Sequence, residues 1–431
     1  MTVDILIWVI LFSMFLLAVP IYVSIGMATV IALLFSDIPL SILPLDLYKV
    51  SGMFPLLAIP GFIFAGSLME RGGMAAQIVS VVYAIIGRVR GGLGIVTIVG
   101  CMFFAAMIGS GGGTVAAVGT MMIPSMLKKG YGKDYATGVT CAGGTLGVLI
   151  PPSNPMIVYG VVANVSVANM FLAGFIPGAI TGIALMITAY IMARIKGITG
   201  SKEPFIVKDF FRNFWQAKWS LFAPVLILGG IYGGIFTPVE ASVVAVVYAI
   251  FVGFFITKQL NITRFIESIS VTNSSSAVIL VVIGVSMFFG RFLTMLQVPQ
   301  KVSVAMLSIT SEPILILLMI ILFLIVVGMF METLATVVIV TPIFLPLLIQ
   351  IGIDPIVFGI ILVMTNQIAM LTPPLGLVLF IVMRIADTSI ERISIAVLPY
   401  LFALIICVLL LTLVFPNLIL YLPRLLGGYS G

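Results

Sequence analysis

Histidine is absent from this 431-residue chain, cysteine occurs three times, and charged residues make up only 8% of it. Without histidine there is no imidazole base, no Cys/His nucleophile pair, no histidine proton relay and no Cys/His zinc motif. Cys101, Cys141 and Cys407 stand apart in apolar segments, where single cysteines serve packing rather than a disulfide framework. A G-x-x-x-x-G-K-S/T loop is also missing, so direct ATP hydrolysis by this chain has no support. Nor is there a patch of basic residues laced with aromatics, the footprint of a nucleic-acid surface. No nucleophile, base and metal constellation remains from which to build an enzyme.

What is present is apolar: 62% of the residues are hydrophobic and the mean hydropathy is +1.34. Apolar runs of about 20 residues, long enough to cross a hydrocarbon core, recur to the end of the chain. Their composition suits helices rather than an alternating barrel pattern, so the fold class is an all-α polytopic membrane protein in a lipid bilayer. The first run, from Asp4 to Phe35, lacks a basic flank and a small-residue cleavage site. It is expected to be a retained span, with the mature chain beginning at or near Met1. In this setting the formal charge of +6 marks topology rather than a polyanionic partner.

Two proline-broken stretches, IPPSNPMIVYG from Ile150 and TPPLGLVLFIV from Thr372, lie 222 positions apart. The same offset pairs Pro124 with Pro346, Gly130 with Gly352 and Thr114 with Thr336. Dividing the first half at its charged and Gly/Pro punctuation gives apolar segments near 4–35, 46–70, 74–88, 91–128, 134–164 and 170–194. Adding 222 gives 226–257, 268–292, 296–310, 313–350, 356–386 and 392–416, each an apolar stretch. The expected organisation is a first repeat over 1–197, a cytoplasmic amphipathic connector over 198–222, a second repeat over 223–419 and a tail over 420–431. Lys208, Arg212 and Lys218 with Trp215 and Trp219 place that connector at the membrane surface.

Segments 91–128 and 313–350 are too long for one span and break in the middle, at Gly109–Thr114 and Gly328–Thr333. Glycine-rich backbone at membrane depth must be buried in protein or line a wet cavity, so 91–128 reads as a re-entrant helical hairpin, and 313–350, whose break is less glycine-rich but carries Glu332 and Thr333 at the same level, reads as one through the repeat. Segments 134–164 and 356–386 read as broken transmembrane helices. With five crossings per half the second repeat is inverted relative to the first. An outside N-terminus then puts 16 of the 20 basic residues on the cytoplasmic side, leaving Arg71, Lys258, Arg264 and Arg424 outside. Both termini are expected outside. The first hairpin would open from the cytoplasm and the second from the opposite face. Pro20 and Pro238 leave open whether segments 4–35 and 226–257 cross once or twice.

Paired broken helices point to a secondary transporter, because free helix ends and carbonyls at mid-membrane are what a Na⁺ ion or an anionic solute can use. In the first half the candidate oxygens belong to Gly109, Ser110, Thr114, Gly144, Thr145, Ser153 and Asn154. In the second they belong to Met331, Glu332, Thr333, Thr336, Thr372, Pro373 and Gly376. Oxygen clusters suit hard cations. Each residue also has a plainer role: small residues promote helix packing, and hydroxyls can satisfy their own helix. Glu332 is either a site carboxylate or a water-exposed vestibule group. Glu240, after Thr237 and Pro238, suits a helix cap, as do Asp134 and Asp354. Asn366 and Gln367 either orient the second break or bond between helices.

FPLLAIPGFIFAGSLMERGG from Phe54, GTLGVLIPPSNPMIVYG from Gly144, AGFIPG from Ala173, GGIYGGIFTPVEAS from Gly229, METLATVVIVTPIFLP from Met331 and TPPLGLVLF from Thr372 follow in fixed order. Together they resemble the large membrane (M, DctM-like) subunit of tripartite ATP-independent periplasmic (TRAP) transporters, within the ion-transporter superfamily. The resemblance covers nearly the whole chain. It implies an elevator-type, Na⁺-driven importer of organic acids, of the C4-dicarboxylate or sialic acid class, in a bacterial or archaeal inner membrane. It further implies a small four-helix membrane subunit and a soluble periplasmic substrate-binding protein as partners. Carried onto this chain, one Na⁺ site lies between Ser110 and the Gly144–Asn154 break. A second lies between Thr333 or Thr336 and Thr372–Gly376. The substrate carboxylate is expected near both tips, against Ser110, Gly111, Gly112, Ser153, Thr333 and Pro374. A stand-alone ion-coupled carboxylate carrier and a proton-conducting subunit of an energy-converting complex are the alternative readings.

Overall fold

The computed structural model describes residues 3–17, 19–36, 38–39, 41–200 and 207–430. Lys202 and the connector residues 201–206 lie outside the described residues. Among the described residues every regular element is helical. The first half contains α1 Val3–Leu16, α2 Ile21–Leu34, α3 Ile42–Ser51, α4 Ala58–Arg71, α5 Met74–Ile86, α6 Gly92–Ile108, α7 Gly111–Lys128, α8 Lys133–Thr145, α9 Asn154–Val162 and α10 Val167–Ile195. The second contains α11 Val207–Tyr232, α12 Pro238–Phe251, α13 Ile262–Met295, α14 Val298–Ile309, α15 Pro313–Gly328, α16 Thr333–Gln350, α17 Pro355–Met370, α18 Leu377–Ala386, α19 Ile390–Leu409 and α20 Pro416–Leu426.

Helix ends follow local chemistry. Ser110, Ser153 and Ser166 cap α7, α9 and α10 through their hydroxyl oxygens. Thr237 and Glu240 form a reciprocal capping box on α12, satisfying two otherwise orphaned amides. Proline opens α12, α15, α17 and α20, where its missing N–H costs no hydrogen bond. Element bounds recur at the 222-residue offset: α7 and α16 coincide at both ends, and α8 and α17 start in register. Both 4–35 and 226–257 are divided, since α1 ends at Leu16 and α2 starts at Ile21, and α11 ends at Tyr232 and α12 starts at Pro238.

Helix α4 passes the first hairpin in the tip-to-base direction. Gly66 lies against Ile108 beside the tip, and Glu70 and Arg71 share a cavity with Ala117, Thr120 and Met121, further down α7. The following α5 lies along the lower part of the hairpin, from Ala75 and Ala76, which share that cavity with Ala117, to its base. Its Val79 meets Gly100, and its Tyr83 hydroxyl contacts the Lys129 ammonium at the hairpin base. The 13 residues of α5, about 20 Å at 1.5 Å per residue, are shorter than the crossing expected at 74–88. Arg71 sits beside Arg264, which donates to the Arg71 carbonyl. An apolar run looks alike whether it traverses or lies along a neighbour. The expected separate connector differs too: its described part from Val207 is the first portion of α11, continuous through Pro224. There Lys218 sits 3.7 Å from the Trp215 ring centre.

Helix α13 begins beside Arg71 through Arg264 and ends beside the second hairpin, where Gly290 packs on Pro342 and Val338. Its 34 residues span about 51 Å at 1.5 Å per residue.

Candidate functional site

The two hairpins, α6–α7 and α15–α16, meet the two broken helices, α8–α9 and α17–α18. Each tip is tied to its own break by one backbone bond. The Asn154 amide donates to the Gly109 carbonyl at 3.0 Å, and the Leu375 amide donates to the Met329 carbonyl at 3.0 Å. The assemblies also interlock, since α7 packs on α18 and α16 packs on α9. Gly112 at the first tip faces Ile381 and Leu377 of α18.

At the first tip the chain turns through Gly109, whose φ of 67° is left-handed and free of strain only for glycine. A Cβ there would sit 2.6 Å from the Pro152 carbonyl oxygen. Ser110 accepts from the Gly113 amide and so opens α7. Gly147, absent from the expected site, permits the closest approach: a Cβ on it would lie 2.4 Å from the Ser110 carbonyl oxygen and 2.5 Å from Thr114 Oγ1. The Gly144 carbonyl lies 3.4 Å from the equivalent point on Gly111. Thus Gly109, Ser110, Gly111, Thr114 and Gly144 converge with the 147–154 break.

Their hydrogen bonding divides these residues into two groups. The Thr145 hydroxyl donates to Ala142 and the Ser153 hydroxyl to Val148, each within its own segment. Thr114 Oγ1 and Asn154 Oδ1 are buried and have no partner, and so is Gln367 Oε1. Gln367 is held by its other end, with Nε2 donating to the Thr145 carbonyl at 3.0 Å. Buried oxygens without donors are costly, and oxygens so placed are ready to receive a cation. Gln367, like Gly147, is a residue that sequence reasoning left outside the site. The available signal was its 222-residue offset from Thr145.

The second tip is built differently. Glu332 caps α16, accepting from the Leu334 amide at 2.8 Å, and the Thr336 hydroxyl donates to the Glu332 carbonyl at 3.1 Å. Thr333 and Thr336 are buried. Thr372 bonds its own helix at the Ile368 carbonyl, and Gly376 turns into α18 with a φ of 41°. Asn366 donates to Leu362 of its own helix and its oxygen lies 3.3 Å from a would-be Cβ on Gly328. Pro373 and Pro374 are exposed, whereas Pro151 and Pro152 are buried. Met331 is buried beside the tip.

The family described as tripartite ATP-independent periplasmic transporter, DctM component, matches residues 8–418. An isethionate TRAP transporter permease protein, DctMQ of Oleidesulfovibrio alaskensis, is 40% identical over 94% of this chain, which spans 64% of that relative's length. The C4-dicarboxylate TRAP large permease DctM of Vibrio cholerae is 38% identical, covering 98% of both chains. The sialic acid TRAP large permease SiaM of the same organism is 38% identical over 88% of each. Among solved structures, the Alcanivorax borkumensis YdaH transporter shares the fold, with a TM-score of 0.63 at 15% identity over 87% of each chain. These relatives are permeases rather than enzymes. The chain therefore belongs to the DctM family and is a multi-pass large permease subunit of a bacterial TRAP transporter.

Proposed function

We propose that this permease is the Na⁺-coupled transport subunit of a binding-protein-dependent importer of organic acids, of the C4-dicarboxylate or sialic acid class. Family membership supports the transport role, and the relatives' names supply the substrate class. The observation that carries the coupling is the set of buried, unpartnered oxygens on Thr114, Asn154 and Gln367. Thr114 lies at the crossing that also presents the carbonyls of Ser110 and Gly144, while Asn154 is joined to the tip through its amide at Gly109 and Gln367 to the end of α8 through Thr145. Na⁺ takes this hard-oxygen set as co-transported substrate. A second Na⁺ lies between the second tip, at Met331, Glu332, Thr333 and Thr336, and the break at Thr372, Pro373 and Gly376. The solute carboxylate meets the amide ends of α7, α9, α16 and α18, drawn by their partial positive charge. Ser110, Gly111, Gly112, Ser153, Thr333 and Pro374 line its place.

The halves are inverted repeats. Supporting this, α13 runs about 51 Å from Arg264, beside Arg71, to Gly290, beside the second hairpin, a reach that lets the two bases lie on opposite faces. With α5 lying along the hairpin, α1 and α2 each take a crossing, so each half keeps an odd number. Arg71, Lys258 and Arg264 become cytoplasmic while Lys49, Arg291 and Lys301 move outward. Three exchange for three, and the positive-inside bias is unchanged. The hairpins and broken helices move as one elevator unit past a scaffold of the remaining helices, joined by the small membrane subunit and served by the periplasmic binding protein. Movement only when empty or fully loaded keeps the ion and solute gradients coupled.

Substituting Ser153→Ala together with Asn154→Ala tests the first site. The expected result is retained folding with lost Na⁺ dependence of uptake. Unaltered Na⁺ dependence would remove these side chains from the coupling site.

A further inference from the structure

Helix α13 leaves a seam uncovered along the half that starts at Ile262. Ile262, Ile266, Ile269, Asn273, Ser276 and Leu280 follow at steps of four, three, four, three and four, the spacing that lets one helix pack along another. Ile262 and Ile266 are 66% and 58% exposed, and Ile269 and Leu280 are exposed too. Beyond Leu280 the same side is closed, with Leu47 of α3 against Gly284. Hydrocarbon does not explain the seam. No charged residue lies between Glu267 and Arg291, which are about 36 Å apart along the helix, and a core of about 30 Å fits between them. Centred there, the core holds Asn273 about 6 Å inside its edge and leaves Ile262 about 10 Å outside. Asn273 is exposed, and its carboxamide bonds no other described residue. The neighbouring Ser276 hydroxyl is buried and has no partner either. The seam is thus polar where its surroundings are apolar and apolar where they are wet, and a second helix laid along it relieves both mismatches.

We propose that this seam is the two-fold contact between two copies of the permease. Copies in one bilayer share an orientation, so α13 and its mate about an axis normal to the membrane run parallel, and the seam meets itself in register. Asn273 then faces its own copy at the same depth. A carboxamide both donates and accepts, so the pair completes itself, with the Ser276 hydroxyls beside it. The absence of charge between Glu267 and Arg291 means that the symmetric contact brings no like charges together within the core. An unrelated helix would need a polar group at that one depth; a second copy has it by construction. In the elevator reading α13 belongs to the scaffold, so the contact joins two scaffolds and leaves each moving unit free.

The test is cysteine cross-linking of the full chain in native membranes, with the small membrane subunit coexpressed; the native Cys101, Cys141 and Cys407 are buried. Under copper–phenanthroline oxidation, Ile269→Cys should yield a product of twice the permease mass. Val271→Cys, exposed at nearly the same depth but about 160° round the helix, should not. In liposomes, single-molecule photobleaching over a range of protein-to-lipid ratios should show the wild type as a dimer. Asn273→Leu should raise its dissociation constant about fivefold, the scale of one interhelical hydrogen bond. Equal cross-linking at the two positions, a product that contains the small subunit instead of a second permease, or an unchanged dissociation constant in Asn273→Leu would each overturn the proposal. These readouts do not depend on Na⁺-coupled uptake.

Discussion

Gln367 and Thr145 stand at equivalent positions of the two halves, 222 residues apart, and they touch: the Gln367 amide nitrogen donates to the Thr145 carbonyl at 3.0 Å. Both residues are fully buried. The bond joins the end of α8, beside the first break, to α17, which leads into the second break. It also fixes the amide so that its oxygen is left without a donor.

Replacing Gln367 by Leu leaves the Thr145 carbonyl unpaired, a loss of about 1–3 kcal/mol for a buried group. Melting in Na⁺-free detergent should fall accordingly, and the stabilisation gained on adding Na⁺ should shrink. A variant that melts like wild type with and without Na⁺ would contradict a bridging role.

Thr114→Val gives the opposite pattern in the absence of ion. The Thr114 hydroxyl makes no hydrogen bond, so removing it forfeits none, and stability without Na⁺ should be unchanged or slightly higher. The Na⁺ concentration for half-maximal uptake should rise about tenfold, equivalent to roughly 1.4 kcal/mol. Unchanged half-saturation, measured by uptake against Na⁺ titration, would exclude this oxygen from the site.

Gly147→Ala drives a methyl to within 2.4 Å of the Ser110 carbonyl oxygen. Both neighbours belong to backbone or a buried side chain, so the expected cost is about 1–3 kcal/mol of overpacking. Transport should fall more than expression does, because the displaced atoms are the proposed ion ligands. Thermal melting and uptake normalised to purified protein separate the two effects.

Glu332 holds the first amides of α16 through its carboxylate. Glu332→Gln keeps an acceptor in place and should melt near wild type, while Glu332→Ala should lose about 0.5–2 kcal/mol as a lost N-cap. If the negative charge also serves the second ion, the Gln variant will need more Na⁺ for uptake. Equal melting of the Ala and wild-type proteins would remove the capping role.

The hairpins and breaks were legible because glycine and proline punctuate them twice at one spacing; α7 and α16 coincide to the residue under that offset. Glu240 was legible as a cap because Thr-Pro-x-Glu carries its own reciprocal bonds. The reach of Gln367 to Thr145 was hidden, since periodicity gives a face but not the carbonyl that a side chain meets on another helix. Gly147 was hidden likewise: its need for a bare Cα arises from the Ser110 carbonyl, 37 positions away in sequence. The course of α5 depended on neighbours, Gly100 at Val79 and Lys129 at Tyr83, which an apolar run of 13 residues does not name. Trp215 and Lys218 form the amphipathic pattern of a surface connector, yet the same pattern serves the first turns of α11.

The most direct measurement is uptake of a labelled C4-dicarboxylate or sialic acid into proteoliposomes holding this permease and its small membrane subunit, with the cognate periplasmic binding protein outside. The account predicts accumulation that requires both the binding protein and an inward Na⁺ gradient, and that collapses when Na⁺ is replaced by K⁺. Accumulation that persists without Na⁺, or without the binding protein, would contradict it.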